Sequence, residues 1–142
     1  MQVMLAAKAD LDKLIYPVFV SPKLDGVRIM IHDRQVMTRS WKLLPNKHLQ
    51  RVYGLRQLNG LDGELIVGGP TEDDVFRTTS SAVMSKEGVP DACFYVFDHY
   101  GNGMFHDRLI AAEELVRQAQ IIDGIRILIV GHTLVRNREE LE

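Results

Sequence analysis

The sequence predicts an α+β domain built on mainly antiparallel sheets flanked by helices, and three observations carry that reading. Val27–His32 alternates with period two, placing Val27, Ile29 and Ile31 on one face and Arg28, Met30 and His32 on the other. Ala92–Asp98 (ACFYVFD) is an aromatic-rich run of strand character. His106–Ile122 carries Leu109, Ile110, Ala112, Leu115, Val116 and Ala119 at helical spacing. Asp33-Arg34 reads as a turn that makes Gln35–Ser40 the hairpin partner of the first strand. A tight hairpin among interleaved strands and helices argues against a purely parallel doubly wound sheet.

The remaining elements follow in order. Residues 8–15 (KADLDKLI) predict a short helix stopped by Pro17, and Val18–Val20 a short strand. Pro45-Asn46 introduces a helix near Lys47–Leu55, and Asn59-Gly60 closes the loop after it. Leu61–Val67 is a strand ended by Gly68-Gly69-Pro70, and Thr71–Met84 has helical character with Thr71 and Asp74 suited to capping. Ile125–Val130 is an apolar strand, followed by His132-Thr133-Leu134-Val135. Asn137 with Glu140 forms a capping-box pattern, the start of a helix where the sequence stops, which suggests a truncated chain.

Composition bounds the function classes. With 142 residues the chain suits one domain, and 46% hydrophobic against 25% charged residues carries no disorder signature. The net charge of −2 announces no global basic field, although a local basic groove can coexist with a neutral total. The single Cys93 excludes an internal disulfide framework and a multi-cysteine zinc site. His32, His48, His99, His106 and His132 lack metal-ligand spacing. No stretch is long enough to cross a bilayer and no secretory leader is evident, so a soluble, reducing, cytoplasmic setting is expected.

The residues with most chemical promise are Lys23-Leu24-Asp25-Gly26-Val27-Arg28. A lysine becomes a nucleophile when its amine loses a proton, which burial and nearby cations favour. Gly26 permits close backbone approach, and Arg28 has the planar fork suited to phosphate. On residue chemistry alone, a charged surface turn fits as well.

The form Lys-x-Asp-Gly-x-Arg resembles the signature motif of the covalent nucleotidyltransferases: DNA ligases, RNA ligases and messenger-RNA capping enzymes. Three further runs stand in the family's order. Thr38-Arg39-Ser40 with Lys42, Pro45 and Asn46 resembles the Ser-Arg motif. Asp62-Gly63-Glu64-Leu65 resembles the motif carrying the glutamate. Phe94-Tyr95-Val96-Phe97-Asp98 resembles the aromatic motif that precedes an arginine-bearing helix, here with Arg108. The phage and bacterial ATP-dependent DNA ligases are most similar, including the run Phe76–Met84 (FRTTSSAVM).

The resemblance implies an ATP-grasp-like adenylation domain, spanning residues 1–142 and incomplete. It makes Lys23 the catalytic nucleophile that takes AMP from ATP and passes it to the 5′-phosphate of nicked double-stranded DNA. Asp25, Gly26 and Arg28 would bind nucleotide, with Arg28 on phosphate or ribose. Arg39 would contact the nucleotide or the nick phosphate. Glu64 would hold ribose or a magnesium ion, Phe97 would stack on adenine, and Asp98 would orient neighbours. A monomer acting in replication, repair or recombination is implied. An RNA ligase, a capping-type enzyme or a non-catalytic nucleotide- or nucleic-acid-binding fragment are the alternatives. Leu24 stands where capping enzymes usually carry threonine, and Ser21 where many DNA ligases carry glutamate. The family's later Glu-Gly-Val/Met and Lys-x-Lys motifs and its oligonucleotide-binding β-barrel are not found, so impaired self-adenylation is expected.

Overall fold

The computed structural model describes residues 14–69, 74–101 and 103–141. The described residues form seven strands and four α-helices: β1 (Val18–Val20), β2 (Val27–His32), β3 (Gln35–Thr38), α1 (Lys47–Tyr53), β4 (Leu61–Val67), α2 (Val75–Met84), β5 (Ala92–His99), α3 (Phe105–Ala119), β6 (Ile127–Ile129), β7 (Thr133–Val135) and α4 (Arg138–Leu141). A single 3₁₀ turn, Arg56–Leu58, links α1 to β4. Five strands form one sheet in the order β3-β2-β4-β5-β6, antiparallel except for the parallel β5–β6 pair. The parallel step requires a crossover, and α3 supplies it. The fold is therefore α+β with a mainly antiparallel sheet.

Period-two alternation builds the core as expected on one face. Val27, Ile29, Ile31, Leu61, Leu65, Phe94 and Val96 pack with Leu49 and Tyr53 of α1 and Ala112, Val116 and Ala119 of α3. The opposite face is not simply solvated, since Met30 and Ile66 are fully buried there too. Asp33 and Arg34 both adopt left-handed backbone, at φ 49° and 62°, the geometry that matches the twist of a two-residue hairpin.

β1 and β7 form a separate antiparallel ribbon. Phe19 anchors it to the start of α3, with its ring 5.7 Å from Phe105 and 6.1 Å from His106. Asn137 caps α4 by accepting from the Glu140 amide at 2.9 Å, while the Glu140 carboxylate reaches back to the Arg136 amide at 2.8 Å. The reciprocal bonds of a capping box are thus shifted by one residue.

Several expectations need correction. Asp74 occupies the N-cap of α2 but makes no capping bond, because its left-handed φ of 57° turns the side chain away. It pairs instead with Arg77 at 3.6 Å. Thr71 lies outside the described residues, as do residues 8–13 of the expected first helix; Leu14 and Ile15 are not helical. The α3 stripe is narrower than its sequence, with Ile110 half exposed and the helix ending at Ala119. Cys93 is a buried free thiol, and no described helix is long and apolar enough to cross a membrane.

Candidate active site

A cleft of about 1190 Å³ opens beside the N-terminal end of β2. Its walls come from four places in the chain: the Lys23–Arg28 segment, the Thr38–Pro45 turn, Glu64 on β4, and α2. Lys23, Asp25, Gly26, Arg28, Arg39 and Glu64, distant in sequence, therefore face one space. Phe97 does not line it.

Strand register explains much of this convergence. β2 and β4 run antiparallel with Arg28 opposite Glu64 and Val27 opposite Leu65. Just before β2, the Gly26 amide lies beside the Glu64 carboxylate and favours its ionised form. A Cβ on Gly26 would strike the Leu65 carbonyl and come within 2.7 Å of Ile66 Cγ1. Glycine is thus required by close packing on the neighbouring strand rather than by an unusual φ. Lys23 and Asp25 stand exposed at the mouth. Glu64 is half-buried, and desolvation pushes its carboxyl up to about 7, against the opposing pull of Arg28 and the Gly26 amide.

Arg28 is held rather than free. Its Nε donates to Asp62 Oδ1 at 3.0 Å and its Nη2 to Asp62 Oδ2 at 2.6 Å, a bidentate pair with a fully buried carboxylate. Burial pushes the Asp62 carboxyl up, and the Arg28 bonds oppose that shift. The guanidinium also lies over the Phe97 ring, 5.2 Å from its centroid. Phe97 reaches this position through a β-bulge: Asp62 pairs with Asp98 and Gly63 with Val96, leaving Phe97 as the extra residue. Asp98 in turn accepts from Arg108 Nε at 3.0 Å and from the His99 amide at 2.8 Å. Two buried carboxylates lie side by side across β4 and β5, each paired with an arginine from another element.

The Arg39 wall is a tight turn. Trp41 N donates to the Thr38 carbonyl at 2.9 Å, and Thr38 N to the Lys42 carbonyl at 2.7 Å. Trp41 itself is left-handed at φ 61° and lays its indole edge-on against His32 and Tyr100, at 5.8 and 5.6 Å. The Tyr100 hydroxyl donates to the Ile31 carbonyl at 2.6 Å, so at 3.1 Å it accepts from His32, whose Nδ1 carries the proton.

Two groups of residues lacked an assigned role in the sequence. Phe76, Ser80 and Met84 line the cleft from α2 at four-residue spacing, a periodicity visible in the FRTTSSAVM run. Asp62 shares strand β4 with Glu64 two residues away, which alternation shows, but its place beside Arg28 follows only from the β2–β4 register. Among the described residues no three His, Cys, Asp or Glu side chains cluster as a metal cage.

The architecture has solved counterparts. The chain superposes on the adenylated DNA ligase of Chlorella virus with a TM-score of 0.79 at 23% identity, covering 96% of this chain and 51% of that one. It superposes on a Lig E DNA ligase at 0.66 and 24% identity, covering 87% and 47%. The bacteriophage T7 ATP-dependent DNA ligase in complex with ATP matches at 0.57 and 19% identity, covering 92% and 52%. The fold is that of a DNA-ligase adenylation domain. The chain spans about half the length of these solved ligases. No protein-family model and no curated protein sequence matches it.

Proposed function

We propose that the cleft is the adenylation site of an ATP-dependent DNA ligase, with Lys23 as the nucleophile. The observation that carries this reading is the meeting of Lys23, Arg28, Arg39 and Glu64 in one cleft, on a fold shared with DNA ligases. The Lys23 amine, once deprotonated, attacks the α-phosphorus of ATP. A P–N bond forms, the bond to the bridging oxygen breaks, and pyrophosphate leaves. AMP then passes to the 5′-phosphate of a DNA nick, and attack by the 3′-hydroxyl releases AMP and joins the strand, in replication, repair or recombination.

The lining suits these partners. Lys23, Arg39 and Lys42 bring three cations to the lining of the cleft, where phosphate charge would sit. The exposed Phe76 and Met84 bring an apolar surface that a purine can cover. A base stacked on Phe97 would have to use the ring face opposite Arg28. Glu64 would reach ribose or a magnesium ion; because described carboxylates do not form a cage, such an ion would be held largely by the nucleotide phosphates. Magnesium would supply charge neutralisation at the phosphates. In this reading Arg28 acts from its fixed place on Asp62, presenting charge without reorganising.

The deciding experiment incubates the chain with ATP labelled on the α-phosphate. A covalent, acid-labile adduct that disappears in Lys23→Ala is expected, formed slowly if the family's later motifs are needed for speed. Labelling from GTP in preference to ATP would point to capping chemistry, and AMP transfer to nicked RNA but not nicked DNA to an RNA ligase. No adduct at all, with nucleotide binding retained by Lys23→Ala, would leave a non-catalytic binding module.

A further inference from the structure

Charge is unevenly divided along this chain. Residues 34–60 hold six of its 17 lysines and arginines and none of its 19 aspartates and glutamates. That segment carries +6; the other 11 basic residues face all 19 acidic ones, giving −8, and the two parts make up the net −2.

The fold gathers the six cations, Arg34, Arg39, Lys42, Lys47, Arg51 and Arg56, along one margin of the molecule. All six are exposed. β3 is the outer strand of the five-stranded sheet, and α1 is fastened to it. The Gln50 side chain accepts from the Val36 amide at 2.9 Å and donates to the Val36 and Leu44 carbonyls at 2.8 and 2.9 Å. Lys47 and Arg51, one turn apart on α1, flank the open groove of about 520 Å³ between helix and strand. Arg34 meets the other end of α1: its amide donates to Asn59 at 2.8 Å, and its carbonyl lies against Gly54. Arg56 follows in the 3₁₀ turn. Arg39 and Lys42 stand at the opposite end, on the wall of the cleft. Of the six, only Lys47 has an ion pair among the described residues, with the exposed Glu87 at 2.9 Å.

We infer that the β3–α1 margin is a docking surface for the phosphate backbone of duplex DNA. Against six exposed cations stand, among the described residues, only Glu87, paired with Lys47, and Asp33, beside Arg34, so the margin keeps a net positive field that attracts a polyanion of regular charge spacing. Between Arg34 and Arg39 the strand Gln35–Thr38 covers roughly 13 Å, at about 3.3 Å per residue, enough for its two ends to meet separate phosphates. Because the row starts at the cleft wall, a duplex with its nick in the cleft would extend over it. The inference rests on the ligase reading for its choice of DNA.

The test uses the intact chain and the triple variant Arg34→Gln/Arg51→Gln/Arg56→Gln, none of whose positions lines the cleft. Anisotropy with a nicked duplex is followed against potassium chloride concentration, beside ATP labelling and thermal melting. Binding weakened at least ~10-fold at low salt, with a salt slope shallower by about 2 to 3, is expected at unchanged labelling and melting. Should the triple variant unfold, Arg51→Gln alone is expected to lower the slope by about 1. An unchanged slope in a folded variant, or no duplex binding by the parent chain, would overturn the surface. So would equal competition by polyglutamate of matched charge, which would assign the margin to acidic proteins. Loss of slope without any ATP adduct in the parent would retain the surface and defeat the adenylation reading; an adduct with unchanged slope would do the reverse.

Discussion

Arg28 and Asp62 are joined by two hydrogen bonds, at 3.0 and 2.6 Å, with the carboxylate fully buried and the guanidinium resting on Phe97. The pair links the strand that follows Lys23 to the strand that carries Glu64. Removing one partner strands a charge in a dry place, which costs far more than the pair itself contributes. Asp62→Asn is expected to lower unfolding free energy by about 3 kcal/mol, whereas Arg28→Met/Asp62→Leu costs less than the two single changes summed. Urea denaturation of the four proteins gives the coupling energy; strict additivity would show that the pair does not exist as described.

Glu64 supplies a pH signature. Its folded-state carboxyl is raised to about 7 from the ordinary 4.5, chiefly by desolvation. The folded state therefore holds the proton more tightly than the unfolded state. Stability from this group is full below about pH 4.5 and is lost as pH rises through 7. Glu64→Gln keeps the size and polarity of the side chain and removes the titration. The variant is expected to gain about 1 kcal/mol over the parent at pH 8, after allowing for solvent screening, and nothing at pH 4.5. A stability difference that does not change between those pH values would refute the assignment.

Asn46 couples α1 to α2 and so sets one wall of the cleft. Fully buried, it accepts from the Leu49 amide at 2.9 Å as N-cap and donates to the Ser85 carbonyl at 2.9 Å. Asn46→Ala loses both and is expected to cost about 2 kcal/mol, of which Asn46→Ser recovers about 1 by restoring the cap. Chemical denaturation ranks the three, and equal stability of the serine and alanine variants would remove the cap from the account.

Trp41 sets two effects against each other. Its indole packs on His32 and Tyr100, but its φ of 61° is unfavourable for a side chain with a Cβ. Both Trp41→Ala and Trp41→Gly lose the packing, and only glycine relieves the backbone. Trp41→Gly is expected to be more stable than Trp41→Ala by about 1 kcal/mol, read from melting curves. The reverse order would mean that the turn relaxes out of the left-handed region.

Local signals transmitted well. The alternation of Val27–His32, the apolar Leu61–Val67 run and the spacing from Leu109 to Ala119 each mark an element that the structure contains. They did so because period two and period 3.6 depend only on which side of one element must be dry. Asp74 misled because capping depends on φ as well as residue type, and its left-handed backbone removes the bond. Phe97 eluded placement because a bulge depends on the partner strand, which no local pattern reveals.

The sequence by itself determined the elements, their order and the candidate residues Lys23, Arg28, Arg39 and Glu64, since each belongs to a short run with its own local signature. Only the tertiary structure decided that these residues share a cleft, that Arg28 is bound to Asp62 on Phe97, and that six scattered cations line one margin. The physical reason is that register between β2, β4 and β5, and the seating of α1 on β3, arise from packing between residues far apart in the chain. Such packing is a property of the assembled core, and local periodicity does not encode it.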